Sequence, residues 1–296
     1  VARVLRDAAA RLAGSPAPQA DAEELASRLL GVTRAELLRS GARALAPGER
    51  AALERWVARR AAGEPVQYIT GRAAFRSLDL AVSPAVLVPR PETEGLVERV
   101  LEAFADEPAR FAAPRVLDLG TGSGAIALAI ASEVPGARVV ATDASAAALA
   151  VARANAEALG LSRVELRLGS WFEAVGADER FEAIVSNPPY IATGEWDALP
   201  DDVRRHEPHA ALFAGDTGLE ALREIVDEAP DHLVAGGLLA LELAEARARE
   251  VAAWLEGARD WERATLHDDL AGLPRVVIAR RAAGPAIAPR QWAEER

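Results

Sequence analysis

Apolar residues recur at helical spacing from the start of the chain. Val4, Leu5, Ala8, Ala9 and Leu12 fall on one helical face. A second helix is expected with Asp21 as its N-cap and Glu24 as the capping-box partner, running through Leu25, Leu29 and Leu30 to Gly31. Thr33 opens a short helix over Ala35-Glu36-Leu37-Leu38. Pro47-Gly48-Glu49 starts another, through Leu53, Trp56 and Val57 to Gly63. Short helices ahead of any strand predict a small helical bundle over residues 1–75. Next, Tyr68, Ile69 and Phe75 lead into the alternating Leu78-Asp79-Leu80-Ala81-Val82, which predicts a β-hairpin-like connector over 76–92. Pro84, Pro89 and Pro91 hold its path extended.

A helix is expected from Thr93 to about Phe104, and from Arg115 strands and helices alternate. The strands are Arg115–Leu119, Arg138–Thr142, Val164–Leu168, Phe181–Ser186, Leu238–Leu243, about Glu262–His267, and Arg275–Ala279. Helices are expected at Ala125–Ser132, Ala146–Leu159, Leu219–Asp231 and Ala246–Leu255. This alternation predicts an α/β domain over 93–281, a doubly wound, mostly parallel seven-stranded sheet with helices on both faces. The link after Glu262–His267 is too short for a crossover helix, so the last strand is expected to pair antiparallel. Residues 282–296, with Gly284, Pro285 and Pro289, read as a loose tail.

Composition narrows the chemistry. There is no cysteine, hence no disulfide, thiolate zinc site or thiol nucleophile, and the four histidines are too scattered to suggest a metal. No apolar run reaches the roughly 18 residues of a membrane span, and Val1-Ala2-Arg3-Val4 lacks the apolar stretch of a signal peptide. The expectation is a soluble, cytoplasmic protein without a membrane partner. The net charge of −11 speaks against stable binding to nucleic acid. Residues 1–75 depart from that balance, with twelve arginines against eight acids. They present either a solvated helical surface or a docking face for an acidic partner.

The candidate chemistry sits at strand ends. Gly120-Thr121-Gly122-Ser123-Gly124 follows the first strand of the large domain and opens a helix. Its glycines allow a sharp turn and close approach of a ligand. The spacing is tighter than G-x-G-x-x-G, so a nucleoside cofactor without a pyrophosphate fits better. Asp143, about 20 residues on, is placed to accept hydrogen bonds from ribose hydroxyls. As an alternative it caps the next helix, a role for which Ser145 competes. Trp171 either packs on an adenine ring or belongs to the core.

Asn187-Pro188-Pro189-Tyr190 ends the fourth strand. The Asn187 side-chain oxygen and the Pro188 carbonyl can accept both hydrogens of a planar NH2 group whose lone pair is delocalised. Tyr190 adds a flat wall. Such an arrangement orients a poor nucleophile toward a sulfonium methyl, a gain made through proximity. Arg90, Glu92 and Thr93 precede a helix; Glu92 and Thr93 either line the cleft, or Thr93 only caps that helix. The long stretch from Ile191 to Thr217, with His206-Glu207-Pro208-His209, reads as a flap beside the site.

These segments together resemble the protein-(glutamine-N5) methyltransferases that act on class I peptide chain release factors. Gly63-Glu64-Pro65-Val66-Gln67-Tyr68-Ile69, Pro89-Arg90-Pro91-Glu92-Thr93-Glu94, Asp118–Gly124, Asn187–Tyr190, Glu207-Pro208 with Ala211-Leu212-Phe213, and Asp269-Leu270-Ala271-Gly272-Leu273-Pro274-Arg275 carry the resemblance. It implies a Rossmann-like class I methyltransferase fold and S-adenosylmethionine as donor. It implies the glutamine of a Gly-Gly-Gln motif in a release factor as acceptor. Gly120, Thr121, Gly122, Ser123, Gly124, Asp143, Ser170, Trp171 and Asn187 would surround the cofactor. Asn187, Pro188, Pro189 and Tyr190 would hold the glutamine, and the N-terminal bundle would help dock the substrate. The position before Trp171 is often acidic in this family. Here it is Ser170, whose hydroxyl can still accept a hydrogen bond. The rival reading is a methyltransferase for exocyclic amines of RNA or DNA, since those NH2 groups pose the same chemical problem.

Overall fold

The computed structural model describes residues 1–39, 44–262 and 264–284. Five helices come first: α1 (Ala2–Arg11), α2 (Pro18–Leu30), α3 (Arg34–Arg39), α4 (Pro47–Ala61) and α5 (Val66–Thr70). Leu5, Leu12, Leu25, Leu37, Leu53, Val57 and Ile69 form their common core. Thr33 and Glu36 make the capping box of α3, the Glu36 carboxylate accepting from Thr33 N–H at 2.8 Å and the Thr33 hydroxyl accepting from Glu36 N–H at 3.2 Å.

Two local expectations give way here. Asp21 is not an N-cap: α2 begins at Pro18, whose preset φ suits the first helical position. Asp21 instead accepts from the Ser15 hydroxyl and the Arg60 guanidinium, both at 2.6 Å, tying the α1–α2 loop to α4. Tyr68 and Ile69, expected to lead into the hairpin, lie on α5, which Pro65 opens and Gly71 closes at φ 71°. The Tyr68 hydroxyl donates to Val86 carbonyl at 2.6 Å, joining the bundle to the segment ahead of the next helix.

The hairpin is β1 (Arg72–Phe75) with β2 (Leu78–Ala81), so it begins four residues before the expected connector. Helix α6 (Pro91–Asp106) starts two residues before Thr93, with Arg90 as N-cap, so Thr93 is not a cap. The remaining elements are β3 (Arg115–Leu119), α7 (Ala125–Glu133), β4 (Arg138–Asp143), α8 (Ala146–Ala158), β5 (Glu165–Leu168), β6 (Phe181–Ser186), α9 (Asp201–His206), α10 (Glu220–His232), β7 (Leu233–Glu242), α11 (Glu245–Gly257), β8 (Thr265–Asp268) and β9 (Pro274–Arg280).

The sheet runs β5-β4-β3-β6-β7-β9-β8, and β9 alone runs against the direction of the other six strands. That is the expected doubly wound sheet with a reversed last strand. Strand β7 begins earlier than Leu238, because its register against β6 jumps between Phe181 and Ala183 around Gly236, which sits at φ 73°. The strand expected at Glu262–His267 is instead Thr265–Asp268. Most of the tail, 285–296, lies outside the described residues.

One apolar cluster packs α6, α7 and the hairpin on one face of the sheet; another packs α10 and α11 on the opposite face. Asn155 of α8 is 2 % exposed and joins three segments. Its side-chain oxygen accepts from Ala81 N–H at 2.6 Å, and its amide nitrogen donates to the carbonyls of Ala81 at 3.0 Å and Ser123 at 2.9 Å. One side chain therefore holds the hairpin against the glycine turn. Asn155→Ala leaves these buried backbone groups unpaired, so urea denaturation is expected to show a loss of about 2–3 kcal/mol.

Candidate active site

Strands β3 and β6 are neighbours, but α7, which follows β3, and α10, which precedes β7 in the crossover from β6, pack on opposite faces. The chain thus diverges at the carboxyl ends of these two strands, where doubly wound sheets open a crevice. The Ser186 hydroxyl donates to Leu119 carbonyl at 2.8 Å and pins the strands together just below it.

Two cavities meet at that point. The first, about 330 Å³, is lined by Gly120, Thr121, Gly122, Ser123, Asp143, Ser170, Trp171, Asn187 and Pro189, and by Leu87, Arg90 and Thr93. The second, about 460 Å³, is lined by Asn187, Pro188, Pro189 and Tyr190 together with Glu195, Leu199, Val203 and Arg247. Asn187 belongs to both walls.

The glycine turn is built for close approach. A Cβ on Gly122 would meet nothing within 4 Å, so the space before it is open, whereas one on Gly120 would touch Trp171 at 3.5 Å. Gly124 lines neither cavity. It is the left-handed N-cap of α7, and a Cβ there would press on Leu128 at 2.9 Å. Beneath the turn Asp118 is fully buried, accepting from the Thr121 hydroxyl at 2.6 Å and Ala127 N–H at 3.2 Å. Burial pushes its pKa up to about 7.

Asp143 is held by two backbone donors at 2.8 Å, Gly122 N–H on one oxygen and Ser145 N–H on the other. Ser145, not Asp143, caps α8, its hydroxyl accepting from Ala148 N–H. Asp143 thereby keeps its remaining lone pairs toward the cavity. Trp171 packs on the core and also lines the first cavity. Its backbone is bent to φ 42°, and its carbonyl accepts from the Thr142 hydroxyl at 3.0 Å. Ser170 lines the same cavity, its N–H donating to Glu173 at 2.9 Å.

Asn187 donates its amide N–H to the Thr93 hydroxyl at 3.2 Å. Tyr190 is largely buried, which pushes its phenol up to about 12. Glu92 is exposed and lines neither cavity. Neither His206 nor His209 lines them; His209 stacks on Phe213 at 4.0 Å, with Trp196 at 4.9 Å from Phe213. That aromatic cluster and the pairing of Ile191 with Phe213 give the flap its internal structure.

Three features were not expected from the sequence. Residues 85–87 line the first cavity. Arg90 donates from one nitrogen to both oxygens of Glu207, at 2.7 and 2.6 Å, fastening the flap to the segment before α6. Glu242 at the end of β7 is 2 % exposed, with its Oε2 unpartnered among the described residues. Burial pushes its pKa up to about 7. The single acid at the apolar end of β7, in Leu241-Glu242-Leu243, was the available signal, since an acid at such a position is rarely buried without a role.

The strand order, reversed last strand and ligand-ready turn after β3 define a class I methyltransferase. A Pyrococcus furiosus methyltransferase superposes with a TM-score of 0.50 at 22% identity, covering 71% of this chain and 91% of that one. A Thermus thermophilus 16S rRNA N2 G1207 methyltransferase, in complex with AdoMet and guanosine, superposes with a TM-score of 0.52 at 22% identity, covering 71% and 49%. The PrmC N-terminal domain family matches residues 3–71, and the methyltransferase small domain family matches residues 98–199. Release factor glutamine methyltransferases are 45% identical in Cereibacter sphaeroides, over 94% of this chain and 98% of that protein, and 43% identical in Streptomyces coelicolor, over 91% and 93%. The chain belongs to the release factor glutamine methyltransferase family.

Asp118 and Glu242 both have raised folded pKa values. The folded state therefore holds protons that the unfolded chain releases above about pH 4. Their stabilising contribution is fully present below that unfolded pKa and is lost as pH rises through about 7. Unfolding midpoints in urea are expected to fall between pH 5 and pH 8, and Glu242→Gln is expected to flatten that fall.

Proposed function

We propose that the protein transfers a methyl group from S-adenosylmethionine to the side-chain amide nitrogen of the glutamine in the Gly-Gly-Gln motif of class I release factors. The observation that carries this reading is Asn187, which stands with Pro189 where the two cavities share a wall and opens the Asn-Pro-Pro-Tyr segment. The first cavity suits a nucleoside with no phosphate. Asp143 offers carboxylate acceptors for ribose hydroxyls, Trp171 a flat face for the purine, Ser170 a hydroxyl, and the open front of Gly122 room for close approach.

When bound, the cofactor supplies an electrophilic sulfonium methyl. The protein's own part is to present the acceptor. With Asn187 Nδ2 engaged by Thr93, its Oδ1 is left to accept one N–H of the glutamine amide. The Pro188 carbonyl accepts the other, and Tyr190 walls the planar group. The nitrogen lone pair then faces the first cavity. The C–N bond forms as the C–S bond breaks, sulfur keeps the bonding pair, and the alkylated nitrogen gives its proton to water. Orientation and proximity carry the gain.

The N-terminal bundle, residues 1–75, serves as a docking surface for the release factor, with 76–92 as connector to the catalytic domain of 93–281. We place the reaction in the cytoplasm. An exocyclic amine of a nucleic-acid base has the same planar NH2, but a chain of net charge −11 is poorly suited to a phosphate backbone.

Mass spectrometry after incubation with a release factor and S-adenosylmethionine is expected to show one added CH2 on that glutamine. Methylated RNA or DNA instead would overturn the reading. Asn187→Ala should lower the rate by at least about 100-fold. Asp143→Ala should weaken cofactor binding in calorimetry by about tenfold or more.

A further inference from the structure

The segment Asp269–Arg275 lines neither cavity, yet the fold brings it to the reacting edge of the sheet. Strand β9 runs against the others, so it begins where β3, β6 and β7 end. The turn from β8 to β9 therefore rises from the same edge as Asn187–Tyr190. Leu243 N–H donates to the Arg275 carbonyl at 2.9 Å, and Arg275 Nη1 donates back to the Leu243 carbonyl at 3.3 Å. The next residue, Ala244, stands on the wall of the second cavity. The turn is thus fastened beside the place proposed for the acceptor amide.

At the tip of this turn Leu270, Ala271, Gly272 and Leu273 are all exposed, Leu270 completely. An uninterrupted apolar run in water is a fault unless a function covers it. The run is also held in one shape. One Asp269 oxygen accepts from Ala271 N–H at 2.9 Å and Leu273 N–H at 3.1 Å, and the other accepts from Arg275 Nε and Nη2, both at 3.3 Å. Across the turn, Asp269 N–H donates to the Leu273 carbonyl at 2.9 Å, and Gly272 N–H, at φ 77°, donates to the Asp269 carbonyl at 3.0 Å. A tip ordered in advance loses little entropy when a partner covers it.

We propose that this tip docks on an apolar patch of the release factor beside the loop that carries the glutamine, with Leu270 as its anchor. The position of the tip selects the occupant. A cavity of about 460 Å³ admits a side chain and a short loop, so the body of a protein substrate stays outside and rests on the surrounding surface. Charge selects the kind of patch. Nothing between Asp269 and Arg275 is charged, and those two residues pair with each other at 3.3 Å, so the complementary surface is neutral and apolar. A second copy of this chain is the other partner an apolar tip could take, and a net charge of −11 on each copy opposes that pairing.

This inference rests on the proposed methylation of a release factor, and binding is measured without turnover so that the two readings fail separately. Calorimetry gives the Kd of a purified release factor for the full-length wild type, Leu270→Asp and Leu270→Met. Initial rates with S-adenosylmethionine, cofactor Kd, urea midpoints and sedimentation velocity are measured on the same proteins. Leu270→Asp is expected to raise both the Kd and the KM for the release factor at least about tenfold, with kcat at saturation and cofactor Kd within about twofold of wild type. Leu270→Met keeps an apolar side chain of similar volume and is expected to stay within about threefold throughout. The urea midpoint is expected to be the same in all three, because Leu270 is fully exposed. An unchanged release-factor Kd in Leu270→Asp would overturn the docking. So would equal losses in Leu270→Met and Leu270→Asp, a loss confined to kcat or cofactor affinity, or a wild-type dimer that Leu270→Asp separates. A wild type that binds the release factor through this tip but leaves its glutamine unmodified would instead overturn the proposed function.

Discussion

The divergence of the chain after β3 and β6 is the constraint on which the molecule turns. Parallel strands need crossovers, and crossovers of one hand carry the chain to one face or the other. Here they go to opposite faces, and the backbone leaves a gap at the strand ends that neither helix can fill. Two apolar clusters, one on each face, make that parting rigid. The Ser186–Leu119 bond closes the sheet beneath it. A glycine turn and an Asn-Pro-Pro-Tyr turn then face each other across a fixed distance, without either having to be held by a flexible loop.

The same gap explains the unusual carboxyls. Asp118 and Glu242 lie at strand ends, where the sheet is still closed to water but the ladder of backbone hydrogen bonds is running out. Burial of each opposes its ionisation. Their tasks differ. Asp118 braces the turn from below through Thr121 and Ala127, while Glu242 ends β7 with one carboxyl oxygen unpartnered among the described residues.

Much of this was legible along the chain because strand ends announce themselves locally. Gly120–Gly124 and Asn187–Tyr190 are contiguous motifs, and the alternation of strand and helix from Arg115 placed both on the same sheet edge. Asp143 was legible through its distance from the turn. The rest depends on contacts that no spacing encodes. Thr93 and Asn187 are 94 residues apart, and Arg90 and Glu207 are 117 apart. Local signals also misled where two were in competition. Asp21 looks like a helix cap, but Pro18 starts the helix earlier and frees the carboxylate for Arg60. Gly124 shares a motif with Gly122, yet its position faces Leu128 and the space for a ligand lies one turn away.

The Arg90–Glu207 pair carries a consequence for how such a chain can drift over generations. The Glu207 carboxylate side chain is 2 % exposed and the Arg90 side chain 34 %. Loss of Arg90 alone strands the buried Glu207 carboxylate at a cost of about 3–5 kcal/mol, whereas joint replacement by apolar residues of similar bulk removes that cost. Position 90 is therefore expected to be free to change only when position 207 changes with it, although the two lie far apart in the gene.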